Sequence, residues 1–271
     1  MQLTRHWTVR GPRWAVDGHW AASALSLELL LALPRAEAVA LCQRLTTNEP
    51  ARGPLLPPIE ANQEVGSSGV TYWRSRQART SESTTKDVYE RVYEAERPEL
   101  FFKATGRRAR GHGEPIRIRG DSRWHAPEPE LTVVATSAME VFGYTAGNDV
   151  SSRDIEGDNP LYLPQAKVFT GSCAVGPAIV VASEEELADL PIACSIERAG
   201  AVLFSGETRS SQMRRRCGEL LGYLGKELDF PSGVLLMTGT GIVPDDEFSL
   251  QVGDTVRVQV GTQTLQNEVE A

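Results

Sequence analysis

Trp124-His125-Ala126-Pro127-Glu128-Pro129-Glu130-Leu131-Thr132-Val133-Val134 ends in a β-branched run that reads as a strand from Glu130 to Val134. Side chains two apart on a strand share a face, so Glu128 and Glu130 point the same way. Residues Glu140 to Thr145 alternate as a second strand, and Ala135 to Met139 between them is short enough for a hairpin connection. A hairpin returns the chain beside the first strand and carries Asp149 back to the level of Glu128. Three carboxylates then converge at one end. Such a cluster needs a compensating cation, and Mg²⁺ or Mn²⁺, hard ions that prefer oxygen, are suitable. Mg²⁺ takes about six oxygens, so three carboxylates leave about three positions for water or substrate, the layout of an open catalytic centre. The competing reading is a set of ordinary surface acids on a strand.

The β pattern continues on both sides. Ile116 to Arg119, Ala178 to Ala182, Ala193 to Arg198, Val202 to Ser205, Val234 to Thr238 and Thr255 to Val260 read as strands. One helix is predicted over Ser211 to Leu228, with Met213, Cys217, Leu220, Leu221 and Leu224 at the 3.6-residue period. Toward the N-terminus, Leu3 to Val9 and Arg13 to Val16 read as strands around Gly11-Pro12, and Ala24 to Leu33 and Arg35 to Leu45 as short helices parted by Pro34. Proline-rich Asn48 to Pro58 reads as a linker. These signals predict an α+β, β-dominated chain: a small N-terminal α/β domain over residues 1–60 and a catalytic domain over 61–271. Polar Arg79 to Thr85 is expected as a mobile loop and lid, and Asp87 to Ala95 as a helix.

Composition narrows the function class. The chain has 271 residues, 41% hydrophobic and 24% charged, with a formal net charge of −8, which argues against nucleic acid or an anionic membrane as partner. Cys42, Cys173, Cys194 and Cys217 show no C-x-x-C spacing, so reduced thiols are expected and a zinc site is not. Leu25 to Leu33 is too short to span a bilayer, and no signal-peptide layout precedes it. A cytoplasmic enzyme acting on a small molecule is the expectation.

Longer motifs add a resemblance. Asn148-Asp149-Val150-Ser151-Ser152-Arg153-Asp154, the upstream Glu-x-Glu, Lys167, Gly176-Pro177-Ala178-Ile179-Val180 and Met237-Thr238-Gly239-Thr240-Gly241 resemble the fumarylacetoacetate hydrolase superfamily. Arg97-Pro98-Glu99-Leu100-Phe101-Phe102-Lys103-Ala104, Gly111-His112-Gly113-Glu114 and Asn159-Pro160-Leu161-Tyr162-Leu163-Pro164-Gln165-Ala166-Lys167 are most similar to its branch that dehydrates 2-keto-3-deoxy-arabinonate. The likeness runs from about Gly66 almost to the C-terminus, and the first sixty residues carry no motif of it.

The resemblance implies a mixed β-sandwich-like roll, a homodimer or homotetramer, and Mg²⁺ (or Mn²⁺) on Glu128, Glu130 and Asp149. It implies dehydration of a 2-keto-3-deoxy sugar acid to 2,5-dioxopentanoate through a metal-stabilised enolate. Lys167 matches the superfamily's active-site lysine, and Glu99 is the candidate second acid/base. Thr240 and Gly239 are candidates to grip the substrate carboxylate, Arg153 to reach substrate or orient the acids, and Arg76 to bind the distal end of a sugar acid. His112 is read as closing a turn, His125 as a supporting or packing residue and not a ligand, and His6 and His19 as structural. Glu156 stands where related hydrolases tend to carry glutamine. Many carbon–carbon hydrolases of the superfamily place a water-activating His–Glu pair where this chain has Ser75 and Ala78. That departure favours dehydration over the alternatives, a hydrolase or decarboxylase of an acylpyruvate or oxaloacetate, or a non-catalytic ligand-binding member.

Overall fold

The hairpin read from the sequence is the centre of the architecture. A computed structural model describes residues 1–82 and 91–271. Pro129–Ala135 pairs antiparallel with Val141–Asp149, with Glu130 opposite Gly147 and Thr132 opposite Thr145. The second strand runs four residues past Thr145, although Ala, Gly, Asn and Asp favour strands weakly. It persists because it is paired on both sides, to Pro129–Ala135 and to Cys173–Val181. Gly147 permits this packing: a Cβ there would lie 2.1 Å from Thr132 Oγ1.

Around the hairpin, among the described residues, an 11-stranded mixed sheet runs in the order Thr46–Pro50, His19–Ala21, Gly11–Val16, Gln2–Thr8, Cys173–Val181, Val141–Asp149, Pro129–Ala135, Val234–Met237, Glu64–Gly69, Glu99–Thr105, with Leu55–Leu56 beside Gln2–Thr8. A five-stranded sheet, Ala201–Arg209, Pro191–Arg198, Thr255–Val260, Gln263–Glu270 and Ile116–Arg117, stacks on one face. Strand alternation divides the large sheet. Leu131, Val133, Tyr144, Ala146 and Leu236 pack with Ile196, Val256, Val258 and Leu265 of the smaller sheet. Val134, Leu235 and Met237 face the other way, into a core with Leu27, Leu30, Leu31 and Phe142. Glu130, in step with Thr132 and Val134, belongs to this second face, as does Asp149, in step with Gly147 and Thr145.

The first sixty residues extend the same sheet: Leu3 pairs with Ile179, and Leu3, Trp14 and Val16 share a core with Val65, Val134 and Ile179. The stretch expected as a linker is partly strand. Thr46–Pro50 pairs with His19–Ala21, and Leu55–Leu56 pairs with Arg5 and His6. The predicted long helix is shorter than its periodicity: only Cys217–Leu224 is α-helical, after a single turn at Ser210–Gln212. Residues between them are held by partners elsewhere, since Met213 bridges Tyr72 and the Arg214 amide donates to the Thr71 carbonyl. Arg79 begins the expected loop inside a helix, Trp73–Glu82, and the rest of that segment lies outside the described residues. Of the helix expected over Asp87 to Ala95, residues 91–94 are helical, and 87–90 lie outside the described residues. Among the described residues, no helix is long and apolar enough to cross a membrane.

All four cysteines are buried and unpaired with one another. Burial pushes each thiol up to about 12. Only the thiolate reacts, so the native protein is expected to resist Ellman's reagent at pH 8, whereas the unfolded chain gives the full thiol titre. Rapid labelling of native protein contradicts this packing.

Candidate active site

The acids cluster at one end of the hairpin. Glu128 precedes the first strand, and its carbonyl accepts from the Asp149 amide at 3.0 Å, which holds the two residues abreast. Ligand atoms of Glu128, Glu130 and Asp149 all lie within 4.8 Å of one another, and all three residues are buried. Glu130 Oε2 accepts from the Gly239 amide at 2.6 Å, while Oε1 is buried with no hydrogen-bond partner among the described residues. Burial, then the charges of Asp149 and Glu128, push the Glu130 carboxyl well above the usual range. A partnerless carboxylate oxygen, two neighbouring carboxylates and an all-oxygen donor set fit a hard divalent cation.

Cations surround the cluster on its other sides. Lys167, ending the short helix Leu163–Lys167, donates from Nζ to Glu128 Oε1 at 2.7 Å and to Ser151 Oγ at 2.6 Å, and lies 3.4 Å from Asp149 Oδ2. Arg153 Nη2 lies 3.4 Å from Glu128 Oε1. Lys103 Nζ is ion-paired with Asp149 Oδ1. Hydroxyls complete the set: Ser151 Oγ donates to Glu128 Oε1 at 2.7 Å, and Ser67 Oγ to Asp149 Oδ2 at 3.1 Å.

A narrow cleft opens above, lined by Ser68, Gly69, Val70, Ser75, Glu99, Phe101, Glu128, Glu156, Lys167, Gly239 and Thr240. Glu99 reaches it across Gly69, where a Cβ would sit 2.0 Å from Glu99 Oε2. Val70 has φ +53, a conformation that costs a β-branched residue on the order of 1–3 kcal/mol and is found at functional sites.

The structure thus brings Glu128, Glu130, Asp149, Lys167, Glu99, Gly239 and Thr240 to one place, with Arg153 behind Glu128. It does not bring Arg76 there. Arg76 lies on the helix Trp73–Glu82, its guanidinium 4.6 Å from the Trp73 ring centroid and 3.5 Å from Glu94 Oε1. The Thr240 hydroxyl is occupied locally, accepting from the Ile242 amide at 3.1 Å, and the Gly239 amide is used by Glu130. His112 is exposed, its Nδ1 accepting from the Gln266 amide in the turn that was expected. His125 is buried outside the cleft lining.

Sequence reasoning missed Lys103, Ser67 and Ser151 as members of the cluster. Glu99 was singled out by its motif alone; Lys103 stands on the same strand, Glu99–Thr105, which the sequence reading did not assign.

Gly239 has φ +91, and a Cβ there would lie 2.1 Å from Thr71 Oγ1 and 2.9 Å from the Ser68 carbonyl. Gly239→Ala is expected to cost about 1–3 kcal/mol from backbone conformation alone, read by urea denaturation, and to loosen Glu130. An unchanged midpoint contradicts this loop geometry.

Known proteins resemble this chain in sequence and fold. A family model described as fumarylacetoacetate (FAA) hydrolase C-terminal matches residues 75–270. A probable 2-keto-3-deoxyxylonate dehydratase of Haloferax volcanii is 47% identical over 214 residues, covering 78% of this chain and 73% of that protein. A 2-dehydro-3-deoxy-D-arabinonate dehydratase of Saccharolobus solfataricus is 44% identical over 212 residues, 76% of this chain and 70% of that protein. The solved structure of a 2-keto-3-deoxy-D-arabinonate dehydratase complexed with magnesium and 2,5-dioxopentanoate superposes with a TM-score of 0.85 at 34% identity, over 100% of this chain and 99% of that one. The match spans the hairpin, the lysine helix and the threonine-glycine loop that together build the cleft, and the chain belongs to the fumarylacetoacetate hydrolase family.

Proposed function

We infer that this protein is a Mg²⁺-dependent hydro-lyase that dehydrates a 2-keto-3-deoxy pentonate, such as 2-keto-3-deoxy-arabinonate, to 2,5-dioxopentanoate. The observation that carries the reading is the buried acidic triad in contact with Lys167, in a chain similar along its length to dehydratases of that substrate class. A divalent cation held by Glu128, Glu130 and Asp149 supplies Lewis acidity toward a 2-keto group.

The chain's own residues do the rest. Lys167 and Glu99 are cleft side chains that can hold or move a proton, one at C3 and the other at the C4 hydroxyl that leaves as water. Arg153, buried beside Glu128 and absent from the cleft lining, orients the acids. Thr240 and Gly239 form the wall against which the substrate carboxylate lies, and the narrow cleft excludes bulk water from the reacting carbons. At the wall where hydrolysis would need a water-activating base stands Ser75, with Ala78 one turn along the same helix, which favours elimination of water over its addition. A homodimer or homotetramer is the proposed unit, supported by exposed Phe102 and Leu228 beside one apolar groove.

The test is a substrate panel. Protein stripped with chelator is expected to be inactive on 2-keto-3-deoxy acids and to recover with Mg²⁺. Efficient cleavage of acylpyruvates, with no turnover of 2-keto-3-deoxy acids, overturns the reading.

A further inference from the structure

Lys103 is a fully buried ammonium. It stands on the strand Glu99–Thr105 at a register shift between Phe102 and Ala104, and its side chain reaches the acidic cluster. Its Nζ is ion-paired with Asp149 Oδ1 and donates to the Lys167 carbonyl and, at 3.2 Å, to the Val150 carbonyl. Two of the ammonium's three donors thus go to backbone carbonyls, and its charge stands against Asp149.

Its charge matters more than its donors. Among the described residues, the acidic cluster and the cleft walls carry five carboxylates, with Glu99 and Glu156 added to the triad, and the cations Lys103, Lys167 and Arg153. With every group ionised, that leaves two negative charges, which one dication cancels. A 2-keto acid then enters as an anion and gains a second negative charge as its enolate forms. Each fixed cation near the cluster opposes a metal ion and favours that dianion. Lys103 is the most deeply placed of the three, with a side chain that is 0% exposed, and water screens it least.

We propose that Lys103 is a positioning residue that acts through Asp149: it holds Oδ1 and cancels its charge, lowering the centre's affinity for a divalent cation and raising its affinity for an anionic 2-keto acid. The inference rests on the metal-dependent reading above. It predicts effects of opposite sign on two ligands, whereas a merely structural lysine predicts losses of the same sign.

The experiment uses Lys103→Met, which keeps length and apolar volume, and Lys103→Gln, which keeps an amide donor for the two carbonyls. Circular dichroism establishes folding. Calorimetric titration then measures Mn²⁺ alone, and next oxalate, a planar dianion shaped like a 2-keto-acid enolate, on Mn²⁺-saturated protein. The expected result is Mn²⁺ binding at least as tight as in the wild type, with oxalate at least tenfold weaker. Parallel weakening of both ligands, unchanged oxalate affinity, or failure of both variants to fold overturns the proposal. A wild-type protein that binds no Mn²⁺ overturns the metal-dependent reading itself and the proposal with it, so the wild-type titration separates the two failures.

Discussion

Glu130→Gln is expected to weaken divalent-cation binding by about 100-fold or more, since disturbing residues behind the ligands already costs about 10–100-fold in comparable centres. Turnover on a 2-keto-3-deoxy acid should fall with it. The substitution is nearly isosteric, and an amide oxygen still accepts from the Gly239 amide, now 2.6 Å from Oε2. What disappears is the charge on a residue that is 0% exposed, whose second oxygen has no hydrogen-bond partner among the described residues. The cation-free variant should be no less stable than the wild type. Burial and the adjacent Asp149 and Glu128 already hold the Glu130 carboxyl well above its usual range, so ionising it in the folded protein is costly. The stabilisation that a ligand gives by binding only the folded state should vanish. Calorimetric Mn²⁺ titration and melting curves with and without Mn²⁺ measure both effects. Wild-type affinity in Glu130→Gln contradicts the assignment of this carboxylate to the metal centre.

Lys167→Met is expected to lower kcat by about 10²–10⁴-fold, the usual contribution of a positioned acid or base, while leaving cation affinity intact or tighter. Lys167 is the one ammonium that lines the cleft among the described residues. Its Nζ sits 2.7 Å from Glu128 Oε1, so its removal takes a positive charge away from a proposed metal ligand. Steady-state kinetics beside a Mn²⁺ titration separates the two readouts. Loss of cation binding in Lys167→Met would recast the lysine as a support for Glu128, and retention of full turnover would remove it from proton transfer.

These two residues were legible in the sequence for different reasons. The Glu-x-Glu stood before a β-branched run whose alternation fixes its face, and a hairpin-length connection led back to Asp149; the acids meet as that geometry requires. Lys167 was visible only through motif likeness. What escaped depends on distant pairing. Glu64–Gly69 is built of residues that favour strands weakly, yet it is a buried strand, because Val234–Met237 and Glu99–Thr105 pair on its two sides. Ser67 reaches Asp149 through that pairing. Gln263–Glu270 escaped because its inward residues include Gln263 and Asn267, which an apolar alternation does not flag. Arg76 misled in the other direction: its place beside Ser75 suggested the site, but helical geometry turns it toward Trp73, Tyr93 and Glu94.

The Glu130 and Lys167 predictions presuppose the same chemistry, and proton NMR of 2-keto-3-deoxy-arabinonate incubated with the protein and Mg²⁺ tests it most directly. The expected result is an aldehyde resonance of 2,5-dioxopentanoate growing as substrate is consumed, abolished by chelator and restored by added Mg²⁺. Pyruvate as the product, or aldehyde formation that continues undiminished in chelator, would contradict it.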